Sequence, residues 1–309
     1  MNGPNRTYFT ITTENDLFAS GNDHSYTNGV RLSWFEVGKR PPTVSKGVQK
    51  KLSFLGLNDS TTLAYSLGHN LYTPVDIQSE TININDRPWA AFFYGAVSMA
   101  TLTGDHLDEY EIMIGVVGPS ARGEALQKQI HKVIDSPTPL GWDGQLNDEV
   151  GLVLSKQRRW PGVWQSEWGE ATFVFTPHLG ASVGNIYTYI NAGGVLKYSL
   201  SDNRWHDTPL LARPAMPGTG YFLPADKMGL DVFVGLEGRA IARNIFLDGN
   251  TFANSYRVKK NPFVADVSLG FSLTYKEVRL SYTSVYRTKE FHGQEEESIF
   301  GAFSFGWAF

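Results

Sequence analysis

The chain has no cysteine, no long apolar run and no excess of charge of either sign. Without cysteine, disulfides and thiolate metal sites are excluded. A spanning helix needs about 18 or more largely apolar residues in a row. The nearest stretch, Pro88 to Leu102, is interrupted by Gly95 and Ser98. Charged residues are 19% of the 309 and the net charge is -4, which offers no basic field for nucleic acid. The start, Met1-Asn2-Gly3-Pro4, lacks the charged head and apolar core of a signal peptide. For an envelope protein we expect such a signal to have been removed.

Aromatic residues are abundant at 13%, with 14 Tyr, 19 Phe and 8 Trp, and there are 31 glycines. The last strand shows how they are used. Ile299, Phe303, Phe305, Trp307 and Phe309 alternate with the mostly smaller Phe300, Ala302, Ser304, Gly306 and Ala308, a period of two. A chain ending on Phe in this way resembles the closing strand of bacterial outer-membrane barrels. Leu230, Val232, Val234 and Leu236 likewise alternate with Asp231, Phe233, Gly235 and Glu237. Apolar residues on one face and polar ones on the other suit lipid outside and a polar lumen inside. Counting such segments predicts an all-β fold: one transmembrane antiparallel β-barrel over 1–309, with about twelve strands. The spans are 7–15, 27–38, 61–70, 88–103, 107–117, 148–160, 167–183, 186–200, 229–245, 263–275, 278–288 and 298–309.

Loop length sets the orientation. The tight turn Lys276-Glu277 is read as periplasmic, so the last strand ends there too. The connections 16–26, 71–87, 118–147, 184–185, 246–262 and 289–297 then face outward. Two inner connections, 39–60 and 201–228, are long for their side, and the second carries Pro209, Pro214, Pro217 and Pro224. In the longest outer loop, Leu126, Ile130, Val133 and Ile134 form an apolar stripe, which predicts a short extracellular helix over 123–134. The apolar stripe is expected to lie on the barrel rim, with Gln127, His131 and Asp135 on the adjoining polar side, aiming His131 at the wall.

Asn15-Asp16, Tyr26-Thr27-x-Gly29, Tyr72-x-Pro74, Gly118-Pro119, Gln127-x-x-x-His131 and Trp142-x-x-Gln145 occur in that order. Together they resemble the lipid A 3′-O-deacylase family, outer-membrane enzymes of the LpxR type. The resemblance implies a twelve-stranded, calcium-requiring barrel. Such an enzyme hydrolyses the ester that holds the 3′ acyloxyacyl group of lipid A. Carried over, His131 is the general base, and Asn15, Asp16 and Thr27 complete the catalytic set. Two features depart from the family pattern. A Lys between the third and fourth strands is missing, leaving Arg87 as the nearest cation, and Pro137 stands where a Glu follows the histidine.

The chemistry is coherent. Histidine is the natural base near neutral pH. A hard cation, Ca2+, prefers oxygen ligands, which Asp16 and Thr27 supply. The Asn15 amide can donate to the developing oxyanion. Arg87, Gln127 and Gly29 are the expected substrate-binding residues, Gly29 leaving room for an acyl chain. Alternation points Asp16, Thr27 and Gly29 inward and turns Asn15 outward, unless the strand has ended or a bulge re-aims it. The expected partner is lipid A or lipopolysaccharide in the outer leaflet, met by a monomer whose site faces outward. Alternatives are a covalent Thr27 nucleophile, a broader outer-membrane phospholipase, or a non-catalytic channel or binding barrel. In a channel, inward Arg31, Asp231, Glu237, Arg239, Arg279 and Arg287 would line a pore or close it with ion pairs.

Overall fold

The computed structural model describes residues 6–19, 28–37, 56, 58, 60–169, 171–200, 207–209, 211–213 and 217–309. The strands are β1 (Arg6–Asn15), β2 (Asn28–Val37), β3 (Thr62–Tyr72), β4 (Ala90–Thr103), β5 (His106–Val117) and β6 (Glu149–Arg159, continued by Trp164–Trp168). They are followed by β7 (Ala171–Gly184), β8 (Tyr187–Ser199), β9 (Ala225–Asn244), β10 (Phe263–Lys276), β11 (Val278–Arg287) and β12 (Ser298–Ala308). Each pairs antiparallel with its sequence neighbours, and β1 pairs with β12, closing the ring.

Both segments of β6 pair with the same strand, β7, so they form one barrel strand, and twelve strands close the barrel. Pro161-Gly162 breaks the ladder between them. This corrects the sequence reading at one point: residues 167–168 end β6, and β7 starts after the turn at Gly169, whose φ is 64°.

Alternation is strict where it matters. In β1, Tyr8, Thr10, Thr12 and Glu14 are buried, while Ile11 between them is exposed. Ile112 and Ile114 of β5 and Leu152 of β6 are about half exposed on the outer face. Such a continuous apolar outer surface requires a lipid surround.

The lumen is filled. Arg31 bonds Glu111 at 2.7 Å, Arg287 bonds Asp266 at 2.8 Å, and Arg239 also pairs with Asp266. Part of the long connection between β8 and β9 runs up inside. Phe222 meets Tyr8 edge-on at 5.5 Å, and Arg279 donates to the carbonyls of Asp207 (2.9 Å) and Gly220 (2.7 Å). The connection 39–60 lies almost wholly outside the described residues.

At the end opposite the chain termini, the loop after β9 dips back inward as α2 (Ile245–Asp248). Asn244 caps it, and Phe246 stacks on Tyr72 at 3.9 Å. The Tyr256 hydroxyl donates to the carbonyls of Asn83 (2.9 Å) and Asp86 (2.8 Å), tying this loop to the one after β3. Burial and the nearby Asp86 carboxylate raise the Tyr256 phenol, so it stays a donor. Described residues therefore occupy both ends of the lumen.

Candidate active site

The loop after β5 lies on the outside of the barrel, and its sequence explains why. Leu71 of β3 and Ala91 of β4 point outward, yet both are fully buried, packed with Ile77, Trp89, Ala121 and Trp142. Gly118, at φ 101°, lets the chain turn tightly against the backbone of Asn147. The Ser120 amide and hydroxyl both donate to Asp148, at 2.7 and 2.8 Å. By residue 121 the chain has crossed from β5 to β3, where the His69 Nε2 donates to the Ala121 carbonyl at 2.7 Å.

The helix α1 (Gly123–Ile134) follows, between left-handed residues Arg122 and Asp135. A Cβ at Gly123 would stand 2.4 Å from Ala91 Cβ and 2.6 Å from the Trp142 ring, so only glycine allows this approach. The buried residues of α1 are Gly123, Gln127 and His131, one per turn. Here the sequence expectation is corrected in part. The polar residues face inward, while Val133 and Ile134 are 80% and 51% exposed. A membrane protein has lipid on its outside, so an apolar side chain gains nothing by facing the wall instead.

The turn at Asp135 brings the Pro137 carbonyl back onto His131, whose Nδ1 donates to it at 2.6 Å. A carbonyl can only accept, so the proton is on Nδ1 and Nε2 is the basic nitrogen. Position 137 is proline, and its main-chain oxygen orients the ring. One turn back, Gln127 Oε1 accepts from Trp142 Nε1 at 2.7 Å. Its Nε2 is buried without a hydrogen-bond partner among the described residues.

Strand β1 runs without a bulge through Asn15, whose backbone is extended. Its Oδ1 accepts from the Leu17 amide at 2.8 Å, and Asp16 Oδ1 accepts from the same amide at 2.9 Å. The residue has the outward aspect that alternation gives it, and α1 lies outside too, so no bulge is needed. Asp16 has left the strand and is buried in the 3-10 turn Asp16–Phe18. That turn folds over the outer face of β12, with Phe18 against Phe303 at 5.1 Å.

The pairing of Glu14 with Gly29 sets Asn28 of β2 beside Asn15, and Asn28 in turn pairs with Leu71. The Asn28 Oδ1 is buried without a hydrogen-bond partner among the described residues. Sequence reasoning passed over Asn28; its signal was the outward position beside Asn15.

The other expected residues are distributed differently. Gly29 is buried on the lumen face, across the wall from α1. Arg87 is buried, bonded to Glu290 at 2.7 Å and stacked over Phe291 at 5.6 Å, so an anionic ligand would have to displace that carboxylate. Thr27 lies outside the described residues. Among those described, no group of three or more His, Asp or Glu forms a metal cluster. The oxygen donors present, the buried Asp16 carboxylate and the Asn28 amide oxygen, nevertheless suit a hard cation.

The family model described as Outer membrane protein LpxR matches residues 3–309. Among solved structures, LpxR from Salmonella typhimurium superposes with a TM-score of 0.77 at 19% identity, covering 97% of this chain and 99% of that one. The translocator domain of the autotransporter NalP from Neisseria meningitidis gives a TM-score of 0.42 at 11% identity, covering 100% of this chain and 90% of that one. No curated protein matches the chain by sequence.

Proposed function

Because the chain belongs to the outer membrane protein LpxR family, we propose that it is a calcium-dependent lipid A deacylase that hydrolyses the ester of the 3′ acyloxyacyl group. The observation that carries this reading is His131. It is a buried histidine with a fixed tautomer, held by α1 over the outer face of a lipid-facing wall. A hydrolase acting on outer-leaflet lipid needs its base on that side.

Helix length supports the arrangement. Eight residues from Gly123 to His131 span about 12 Å. Three strand spacings, from Ala91 on β4 to Asn15 on β1, span about 14 Å. A helix that ran from β4 toward β1 would carry His131 over the Asn28 and Asn15 side chains.

In this reading, His131 Nε2 takes a proton from water as its oxygen attacks the ester carbonyl, then returns it to the departing sugar oxygen. The Nδ1 bond to Pro137 strengthens as the ring becomes cationic. Gln127 Nε2 and the Asn15 amide donate to the oxygen that gains charge. Asp16 and Asn28, with Thr27 from the sequence pattern, would hold calcium; when bound, it supplies Lewis-acid polarisation of the carbonyl. The acyl chains stay in the leaflet beside the exposed Val133 and Ile134.

The test is purified protein in detergent with calcium, offered lipid A and phospholipid separately. Release of the acyloxyacyl acid from lipid A alone is the expected result. Cleavage of phospholipid at an equal rate would indicate a broader phospholipase, and no cleavage of either would remove the proposal.

A further inference from the structure

The connection between β8 and β9 reaches up the lumen to the back of the candidate site. Its tip, Ala212, is fully buried and gripped from three strands. Its amide donates to Glu14 Oε1 of β1 at 2.7 Å. Its carbonyl accepts from Asn70 Nδ2 of β3 at 3.3 Å and from the Tyr94 hydroxyl of β4 at 3.1 Å. The next residue, Arg213, lies 3.7 Å from Glu14 Oε2, bonds Asp266 at 3.0 Å and stacks over Phe300 at 3.9 Å.

Glu14 has no solvent exposure, and a buried carboxylate holds its place only where it is hydrogen-bonded. It is the last inward residue of β1. The next residue, Asn15, is on the outer face, and the one after, Asp16, begins the turn. Among the described residues, β1 pairs with β2 as far as Glu14–Gly29 and with β12 as far as Asn15. The lumenal bond therefore falls one residue before the Asn15–Asp16 turn.

We infer that Glu14 is a positioning residue, through which the lumenal segment ending at Ala212 fixes the Asn15–Asp16 turn from behind the wall. This rests on the reading that Asn15 and Asp16 belong to the hydrolytic site. The lumenal segment would then do more than fill the barrel, because its tip sets the geometry of a site on the opposite face.

Three variants test it: Glu14→Ala removes the acceptor, Glu14→Gln keeps one, and Ala212→Pro removes the donor while leaving Glu14 intact. Each is measured for kcat and KM on lipid A, and for amide exchange at Leu17, whose N–H is bonded by both Asn15 and Asp16. E14A and A212P are expected to lower kcat by about 10- to 100-fold, the usual cost of a small misplacement. KM is expected to stay nearly unchanged and Leu17 exchange to speed up. E14Q should recover most of both readouts.

Wild-type kcat in a folded E14A barrel, or equal losses in E14A and E14Q with Leu17 exchange unchanged, would overturn the inference. If the wild-type protein hydrolyses no lipid, the functional reading fails, while Leu17 exchange still decides the anchor. If E14A does not assemble, A212P alone gives the answer.

Discussion

At the residue scale, two side chains test the proposed chemistry and one tests the filling of the lumen. Under the proposed mechanism, His131→Ala should lower the hydrolysis rate by roughly 100-fold or more, as loss of general-base catalysis does. Steady-state kinetics on purified protein checks it, and a smaller loss would assign the base elsewhere. Asn28→Ala should raise the calcium concentration needed for half-maximal activity about tenfold, the scale of losing one supporting interaction at a metal site. A calcium titration after chelation reads this directly, and an unchanged curve would remove Asn28 from the ligand set. In the lumen, Arg31→Met leaves Glu111 buried without its cation and should cost about 3–5 kcal/mol, while Arg31→Met with Glu111→Leu should cost much less. Denaturant unfolding in lipid vesicles compares the two. The sequence order Asn15-Asp16 and Gln127-x-x-x-His131 singled these residues out as candidates. Asn28 was not singled out, because a lone asparagine at a strand start reads as turn chemistry until the register sets it beside Asn15.

Elements were legible where periodicity alone determines them. The helix lies at 123–134 in both sequence and structure, and the strand ends agree closely except around Pro161-Gly162, where a broken ladder mimics a turn. The face that α1 presents could not be read the same way. An apolar stripe tells a soluble helix where its core is, but beside a bilayer both neighbours accept apolar groups. The buried face is then set by what must be hydrogen-bonded, here Gln127 to Trp142 and His131 to Pro137. Gly123 is the contact on which the placement of α1 depends. Gly123→Val should lift the helix off Ala91 and Trp142, abolishing hydrolysis while leaving barrel melting, followed by gel mobility on heating, nearly unchanged. A barrel that keeps full activity with valine there would show that the close approach is dispensable.

The whole molecule combines a closed wall, a filled lumen and a candidate site on the outside. Length and alternation made the closed wall legible, while the outward position of Asn15 stood as a difficulty for a site expected to point its residues inward. Closure by ion pairs was one of the readings open in the sequence, but the lumenal segment was not legible, because the connection 201–228 has no periodicity and the bonds of Ala212 to the wall join residues far apart in the chain. An open channel is inconsistent with the ion pairs and the Ala212 tip that occupy the interior. In planar bilayers the intact protein should give no steady conductance, and a chain lacking 201–224 should give some. The measurement that bears most directly on function is mass spectrometry of lipid A from cells making either the wild-type chain or the His131→Ala form. Wild-type cells should yield lipid A lighter by one acyloxyacyl group, and His131→Ala cells lipid A of full mass. An unchanged acyl count with folded wild-type protein in the outer membrane, or the same loss with His131→Ala, would contradict a histidine-driven lipid A deacylase.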